Sequence, residues 1–159
     1  MGTINYITSD YITLGLEPYE YDEYKNESGE TDFDARRYDM ECDRENIQGI
    51  LNRYDFYYFH VKIEPGYYEG FSVDIENNYR LCFDSWQDKR AAQREITQLK
   101  KFMLECVENG LCVVWPGWCT SYKSRTESIA EIKEAVKEMR AEVLHIPTWL
   151  SCKRMGIEV

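Results

Sequence analysis

The sequence predicts an α+β fold: a small, mostly antiparallel sheet with two long amphipathic helices on one face and an acidic N-terminal arm. Three observations carry this. Apolar and polar residues alternate with period 2 through the middle of the chain, the mark of half-buried strands. Two later stretches repeat apolar residues at helical spacing. The order of strands and helices is that of an α+β chain, two amphipathic helices on one face of a small sheet. With 159 residues and 43% hydrophobic content, one domain is expected over residues 1–159, long enough to bury a core without disulfide or metal staples.

Taken in order, Thr3 to Leu16 alternates enough for one or two short strands. Residues 17–30 are poor in aliphatics, hold one Pro and one Gly, and are dense in acids, which predicts a loop or irregular arm. Residues 1–34 thus form an acidic strand-and-arm region and 35–159 the α+β core. Residues 34–53 predict a helix with Tyr38, Cys42, Ile47, Ile50 and Leu51 on its apolar stripe. From Tyr57 to Glu64 the odd positions are apolar; Pro65-Gly66 is a turn signal. Phe71, Val73 and Ile75 alternate with Ser72, Asp74 and Glu76, and Asn77-Asn78 suits a second turn. Leu81 and Phe83 continue the pattern, so a three-stranded meander with one buried face is expected. A helix from about Gln87 to Asn109 follows, with Ala92, Ile96, Leu99, Met103, Cys106 and Val107 inward and Asn109-Gly110 as its stop. Leu111 to Trp115 reads as a short further strand ended by Pro116-Gly117. Ser124 to Glu127 fits a capping box opening a helix with Ile129, Ile132, Val136, Met139 and Val143 on one face. Pro147 closes it, and Trp149 and Leu150 are expected to pack back.

Charge bounds the function. There are 29 acids against 19 bases, net −10, and the imbalance is local. Residues 1–45 hold 13 acids and 4 bases, net −9, while residues 46–159 hold 16 and 15. Nonspecific binding to nucleic acid or anionic lipid is disfavoured over such a surface, and the asymmetry suggests an acidic interaction surface or a solvated tail. Basic residues at Lys89, Arg90, Arg94, Lys100 and Lys101 leave room for a local nucleic-acid contact. The uncharged apolar runs are far shorter than a membrane helix needs. The opening residues lack a basic start and an apolar signal core, so a cytoplasmic location is expected, and Tyr6 stands where a myristoylation signal wants Ser or Thr.

Six cysteines without a CxxC pair, and no export signal, predict reduced thiols. Two histidines, His60 and His145, with no HxxxH, argue against a zinc site. An EF-hand reading with Gly29 at its sixth position puts Tyr24 first and Ala35 twelfth, so it fails at both ends. No cofactor is expected, and no phosphate-binding loop or hydrolase elbow is present. The best enzymatic arrangement is Cys119, in Trp115-Pro116-Gly117-Trp118-Cys119, activated by His60 or by Lys123 and Arg125; two tryptophans anchoring a loop is the plainer reading. The 13 tyrosines are notable in the hairpin at Tyr67 and Tyr68, and in the arm at Tyr19, Tyr21 and Tyr24, where they interleave the acids. Tyrosine suits interfaces, giving rigid area and a hydroxyl, and carboxylates with planar rings between them can imitate phosphates and bases.

Three stretches, Tyr57 to Phe71, Phe83-Asp84-Ser85-Trp86 and Pro116-Gly117-Trp118-Cys119, form a set that resembles uncharacterised small acidic proteins of bacterial phages and conjugative elements. The resemblance spans residues 54–142. Such elements carry inhibitors of host defence, including anti-restriction and anti-CRISPR proteins, several of them acidic nucleic-acid mimics; no catalytic residue carries over. The resemblance and the charge pattern together lead to the expectation of a non-enzymatic binding protein that blocks a basic, nucleic-acid-binding bacterial protein such as a CRISPR nuclease or restriction component. Glu17, Glu20, Asp22, Glu23, Glu27, Glu30, Asp32 and Asp34 would compete for Arg and Lys side chains that hold phosphates, with Tyr19, Tyr21, Tyr24, Tyr67 and Tyr68 beside them. The alternatives are a small enzyme using Cys119 with His60, and a regulatory protein that pairs with itself as a homodimer.

Overall fold

Alternation of apolar and polar residues gives the sheet at the centre of the fold. The computed structural model describes residues 6–7, 10–16, 21–65, 71–77, 79–80, 83–114 and 122–156. Strand β3 (Phe59–Pro65) runs antiparallel to β4 (Phe71–Asn77), with Val61 opposite Ile75 and Ile63 opposite Val73. Along β4 the residues Phe71, Val73, Ile75 and Asn77 are buried, with Ser72, Asp74 and Glu76 between them partly exposed. The second edge of β4 is taken by β2 (Asp10–Gly15), again antiparallel, and β2 in turn pairs β6 (Cys112–Val113). The order is therefore β3-β4-β2-β6, antiparallel throughout. A register slip between Asp10 and Ile12 marks a bulge at the start of β2.

The edges of β4 are taken by β3 and β2, so the expected meander is not seen among the described residues; Leu81 and Cys82 of its third strand lie outside them. Tyr79–Arg80 (β5) instead pairs β1 (Tyr6–Ile7) in a separate two-stranded ribbon. Phe83 forms a parallel bridge to Thr148. Alternation marks a strand but does not choose its partner, and the N-terminal strand occupies the edge that a meander would have used.

Helix α1 (Phe33–Leu51) is capped by Asp32, whose side chain accepts from the Ala35 N–H at 3.0 Å. Its buried side chains are Arg36, Met40, Ile47 and Ile50. Tyr38 and Cys42, expected on that stripe, are exposed. The face that turns inward runs 36, 40, 47, 50, so Tyr38 lies about 200° around the helix from Arg36. Helix α2 (Trp86–Glu108) starts at Ser85, which caps Asp88, and stops at Asn109 and Gly110, the latter with φ +96°. Every inward residue expected for α2 is buried, joined by Lys89 and Phe102. Helix α3 (Arg125–His145) is capped by Ser124, which accepts from Glu127 N–H at 3.1 Å; Ile132, Val136, Met139 and Val143 are buried and Ile129 is partly so.

One hydrophobic cluster joins Ile12 and Leu14 of β2, Phe59 of β3, Phe71, Val73 and Ile75 of β4, and the inward faces of α1, α2 and α3. Each fully buried aliphatic in it contributes about 1.5–3 kcal/mol of transfer free energy. After Pro147 the chain returns: Phe83 N–H donates to Pro147 O at 2.8 Å and Trp149 N–H to Phe83 O at 2.6 Å. Helix α4 (Trp149–Arg154) follows, and Cys152 is its buried residue. Trp149 and Leu150, expected to pack back, remain 41% and 52% exposed. The return is fixed by backbone bonds and Cys152 instead. Among the described residues no helix is long and apolar enough to cross a membrane.

Candidate functional site

The acidic segment, expected as a loop or irregular arm, is described from Tyr21 onward, and over residues 21–34 its turns are fixed by hydrogen bonds. Residues Tyr21–Tyr24 form a 3-10 turn. The Tyr24 hydroxyl donates to Asp39 Oδ2 of α1 at 2.8 Å. Burial, then the bond to Asp39 and its charge, push this hydroxyl up to about 12. Asn26 closes the next turn: its Oδ1 accepts from the N–H groups of Ser28 and Glu30, both at 3.0 Å. Gly29 supplies the φ of +78° that the turn needs. A bridge between Lys25 and Thr31 and a bond from Asp32 N–H to Tyr24 O tie the ends of the loop together. Glu23, Glu27, Glu30, Asp32 and Asp34 all stand exposed on this frame. Asp22 lies in the 3-10 turn with Tyr21. Glu17, Tyr19, Glu20, Tyr67 and Tyr68 lie outside the described residues.

The acidic surface continues onto α1, which sequence reasoning missed by assigning Tyr38 inward. Asp34, Tyr38, Glu41 and Glu45 recur at spacings of four, three and four, and all are exposed, so they share one helix face. Tyr38, 69% exposed, thus sits among carboxylates. A hydrogen bond with Cys42, then desolvation and the charges of Asp39 and Glu45, hold its hydroxyl above the ordinary range. Two arginines temper the face: Arg44 forks onto Glu41 at 2.8 and 3.3 Å, and Arg37 reaches Asp34 at 3.8 Å. The helical period, followed from Ile47 and Ile50 back to Met40 and Arg36, was the available signal.

A second polar region is the outer face of the sheet. His60, Lys62 and Glu64 are exposed on it, opposite Glu76, Asp74 and Ser72 of β4. A hydrogen bond to Asp74, and the charge of that neighbour, hold the Glu64 carboxyl above the usual carboxylate range. Among the described residues no group of three His, Cys, Asp or Glu is placed to hold a metal ion. Cys119, the expected partner of His60, lies outside the described residues. Of the described cysteines, Cys42 is exposed and Cys106, Cys112 and Cys152 are buried, all as free thiols. Burial, then Glu105, pushes the Cys106 thiol up to about 12, which leaves it inert.

The basic residues of α2 divide. Arg90, Arg94 and Lys101 are exposed and Lys100 is half-buried. Lys89 does not belong to a surface patch. Its Nζ donates to Leu144 O at 2.7 Å and Ile146 O at 2.6 Å, serving carbonyls that the end of α3 leaves open. The indole of Trp86 covers it, 5.2 Å from nitrogen to ring centre. Glu95, on the same helix, accepts from Tyr58 N–H at 2.7 Å and Phe59 N–H at 3.1 Å, anchoring the start of β3. Its burial raises the carboxyl, against the backbone donors that lower it.

Protein-family models, curated proteins and solved structures give no match to this chain.

Proposed function

We propose that this protein is a non-enzymatic inhibitor that occupies the nucleic-acid-binding surface of a basic bacterial protein, of the kind found in CRISPR or restriction defence, in keeping with the resemblance to proteins of mobile elements. One observation supports the reading above the others: exposed carboxylates at Glu23, Glu27, Glu30 and Asp34 sit on a frame closed by the Asn26 turn, the Lys25–Thr31 bridge and the Tyr24–Asp39 bond. A solvated tail would not need this frame. Carboxylates held in place lose less freedom on binding, so more of their attraction for Arg and Lys remains as affinity. Tyr38 among Asp34, Glu41 and Glu45 adds an aromatic surface of the type that anchors interfaces.

The test is displacement. A CRISPR nuclease loaded with guide RNA, and separately a restriction enzyme, is held with labelled target DNA while the protein is titrated in. The reading expects release of DNA by the wild type, weakened by salt, and about 10-fold or greater loss of potency when Glu23, Glu27, Glu30 and Asp34 become Gln or Asn. Equal potency of wild type and the neutralised variant, or no release from either probe, counts against it.

A further inference from the structure

Among the described residues, the large exposed apolar side chains fall into two groups. Phe33 and Tyr38 lie at the acidic start of α1; Tyr57, Trp86, Leu144, Trp149, Leu150 and Met155 make up the other group. Described contacts bring the elements that carry this second group side by side. Tyr57 packs edge-on to Tyr58, and Tyr58 to Phe83, with ring centres 5.0 and 5.9 Å apart. Phe83 accepts from Trp149 N–H. Trp86 covers Lys89, which holds the Leu144 carbonyl. The result is an aromatic and aliphatic patch where the start of α2, the end of α3 and α4 meet. Exposed aromatic and aliphatic side chains gathered on neighbouring elements mark contact sites.

On the C-terminal side of the patch the charge is opposite to that of the protein as a whole, whereas its α2 side carries Asp84, which is exposed, and Asp88, which accepts from the Tyr58 hydroxyl. Residues 143–156 contain no acid, and they carry Lys153, Arg154 and His145, all exposed. Lys153 Nζ lies 4.5 Å from the Trp149 ring centre, and Arg90 is one helical turn on from Trp86. Two copies meeting patch to patch would oppose these cations to one another. The complementary surface is the acidic one, with Phe33 and Tyr38 among Glu23, Glu27, Glu30 and Asp34. The two surfaces attach to different ends of α2. Helix α1 meets α2 near its C-terminus, through Asn46 to Asn109 at 3.0 Å, whereas the patch surrounds Trp86, about 34 Å away along a helix of this length.

We infer that the patch around Trp86 and Trp149, basic along its C-terminal side at Lys153 and Arg154, is a docking site for the acidic segment and α1 face of a second copy of this chain, giving a head-to-tail contact. Such a contact is heterologous: each copy offers one surface and uses the other. The acidic segment is shared with the proposed function, but the inference does not depend on the identity of any foreign partner. The mass of the pure protein reports on the one and DNA displacement on the other.

Sedimentation velocity of the full chain, at rising concentration in low and in high salt, tests it. One variant carries Trp86→Ser with Lys153→Glu and Arg154→Glu; a second carries Glu23→Gln, Glu27→Gln, Glu30→Gln and Asp34→Asn. All these residues are exposed, and far-ultraviolet circular dichroism verifies that each variant folds. Wild type is expected to associate in low salt, and each variant alone to associate about 10-fold or more weakly. Mixed together, the two variants are expected to form a 1:1 dimer and nothing larger, because one still has its acidic surface and the other its patch. A monomeric wild type at every concentration overturns the inference. So does association that both variants retain, or loss of association that mixing does not restore.

Discussion

Lys89 shows how one side chain can be read two ways. In the sequence it is a cation near Arg90 and Arg94; in the fold it is 7% exposed and its ammonium closes the end of α3 on two carbonyls. Desolvation lowers its pKa, so burial is partly resisted, and the carbonyls and the Trp86 ring offset that. Lys89→Met keeps the length and apolar stem but removes the donor. The expected loss is about 1.5–3 kcal/mol, the range for hydrogen bonds to a charged group, read from urea unfolding. A neutral result would mean that water serves the α3 carbonyls equally well. Tyr54 makes a separate prediction in pH. Its hydroxyl donates to Glu105 Oε1 at 2.6 Å, and burial, then the bond and charge of Glu105, push it up to about 12. An unfolded chain releases this proton near pH 10. Between about pH 10 and about pH 12 the folded state therefore binds more protons than the unfolded one. Stability that is fully present below about pH 10 is lost as pH rises toward about 12. Thermal midpoints measured across that range should fall less steeply in Tyr54→Phe than in wild type, and parallel curves would remove Tyr54 as a source of the slope.

At the scale of elements, helices were legible where both faces differ strongly and ambiguous where they do not. In α2 Ala92, Ile96, Leu99, Met103, Cys106 and Val107 give one clear stripe, and all of them are buried. In α1 the stripe includes an arginine, Arg36, 2% exposed, so hydrophobicity alone pointed to Tyr38 and Cys42. The consequence is measurable. Ile47→Ala should cost about 2–5 kcal/mol as a core truncation, whereas Cys42→Ala should stay within about 0.5 kcal/mol as a surface change. Equal losses at the two positions would contradict the burial of α1. Strands were legible as strands, but their partners were not, because β2 and β6 approach β4 and β2 from distant parts of the sequence. Ser128 secures one of these long connections. Buried on the first turns of α3, it accepts from Val113 N–H of β6 at 2.9 Å and lies 3.5 Å from Lys123 O. Ser128→Ala leaves a buried backbone donor without that acceptor, which costs about 1–3 kcal/mol. Amide exchange should show the opening of Val113 first, and an unchanged exchange rate there would assign the strand to other contacts.

For the whole molecule the informative quantity is where charge sits. The acidic N-terminal region was legible from counting alone, but not its full frame, since the Tyr24–Asp39 bond depends on how the segment meets α1. The apolar patch was not legible, because Trp86 is distant in sequence from Leu144 and Trp149 and all three resemble core residues. A net charge of −10 with its excess confined to one region implies self-repulsion in the folded state. Raising monovalent salt from about 0.01 M to about 0.15 M shortens the screening length from about 30 Å to about 8 Å. Thermal stability should rise over that interval, while any binding through the acidic surface weakens. The two slopes have opposite signs because screening relieves repulsion within the chain and attraction between chains. Neutralising Glu23, Glu27, Glu30 and Asp34 should raise the thermal midpoint at low salt and flatten both slopes together. Those four carboxylates are exposed and their removal opens no cavity, so a gain in stability cannot come from packing. If the neutralised protein loses binding but keeps the salt slope of its stability, the repulsion resides along α1, at Asp39, Glu41 and Glu45, and the framed segment serves recognition alone.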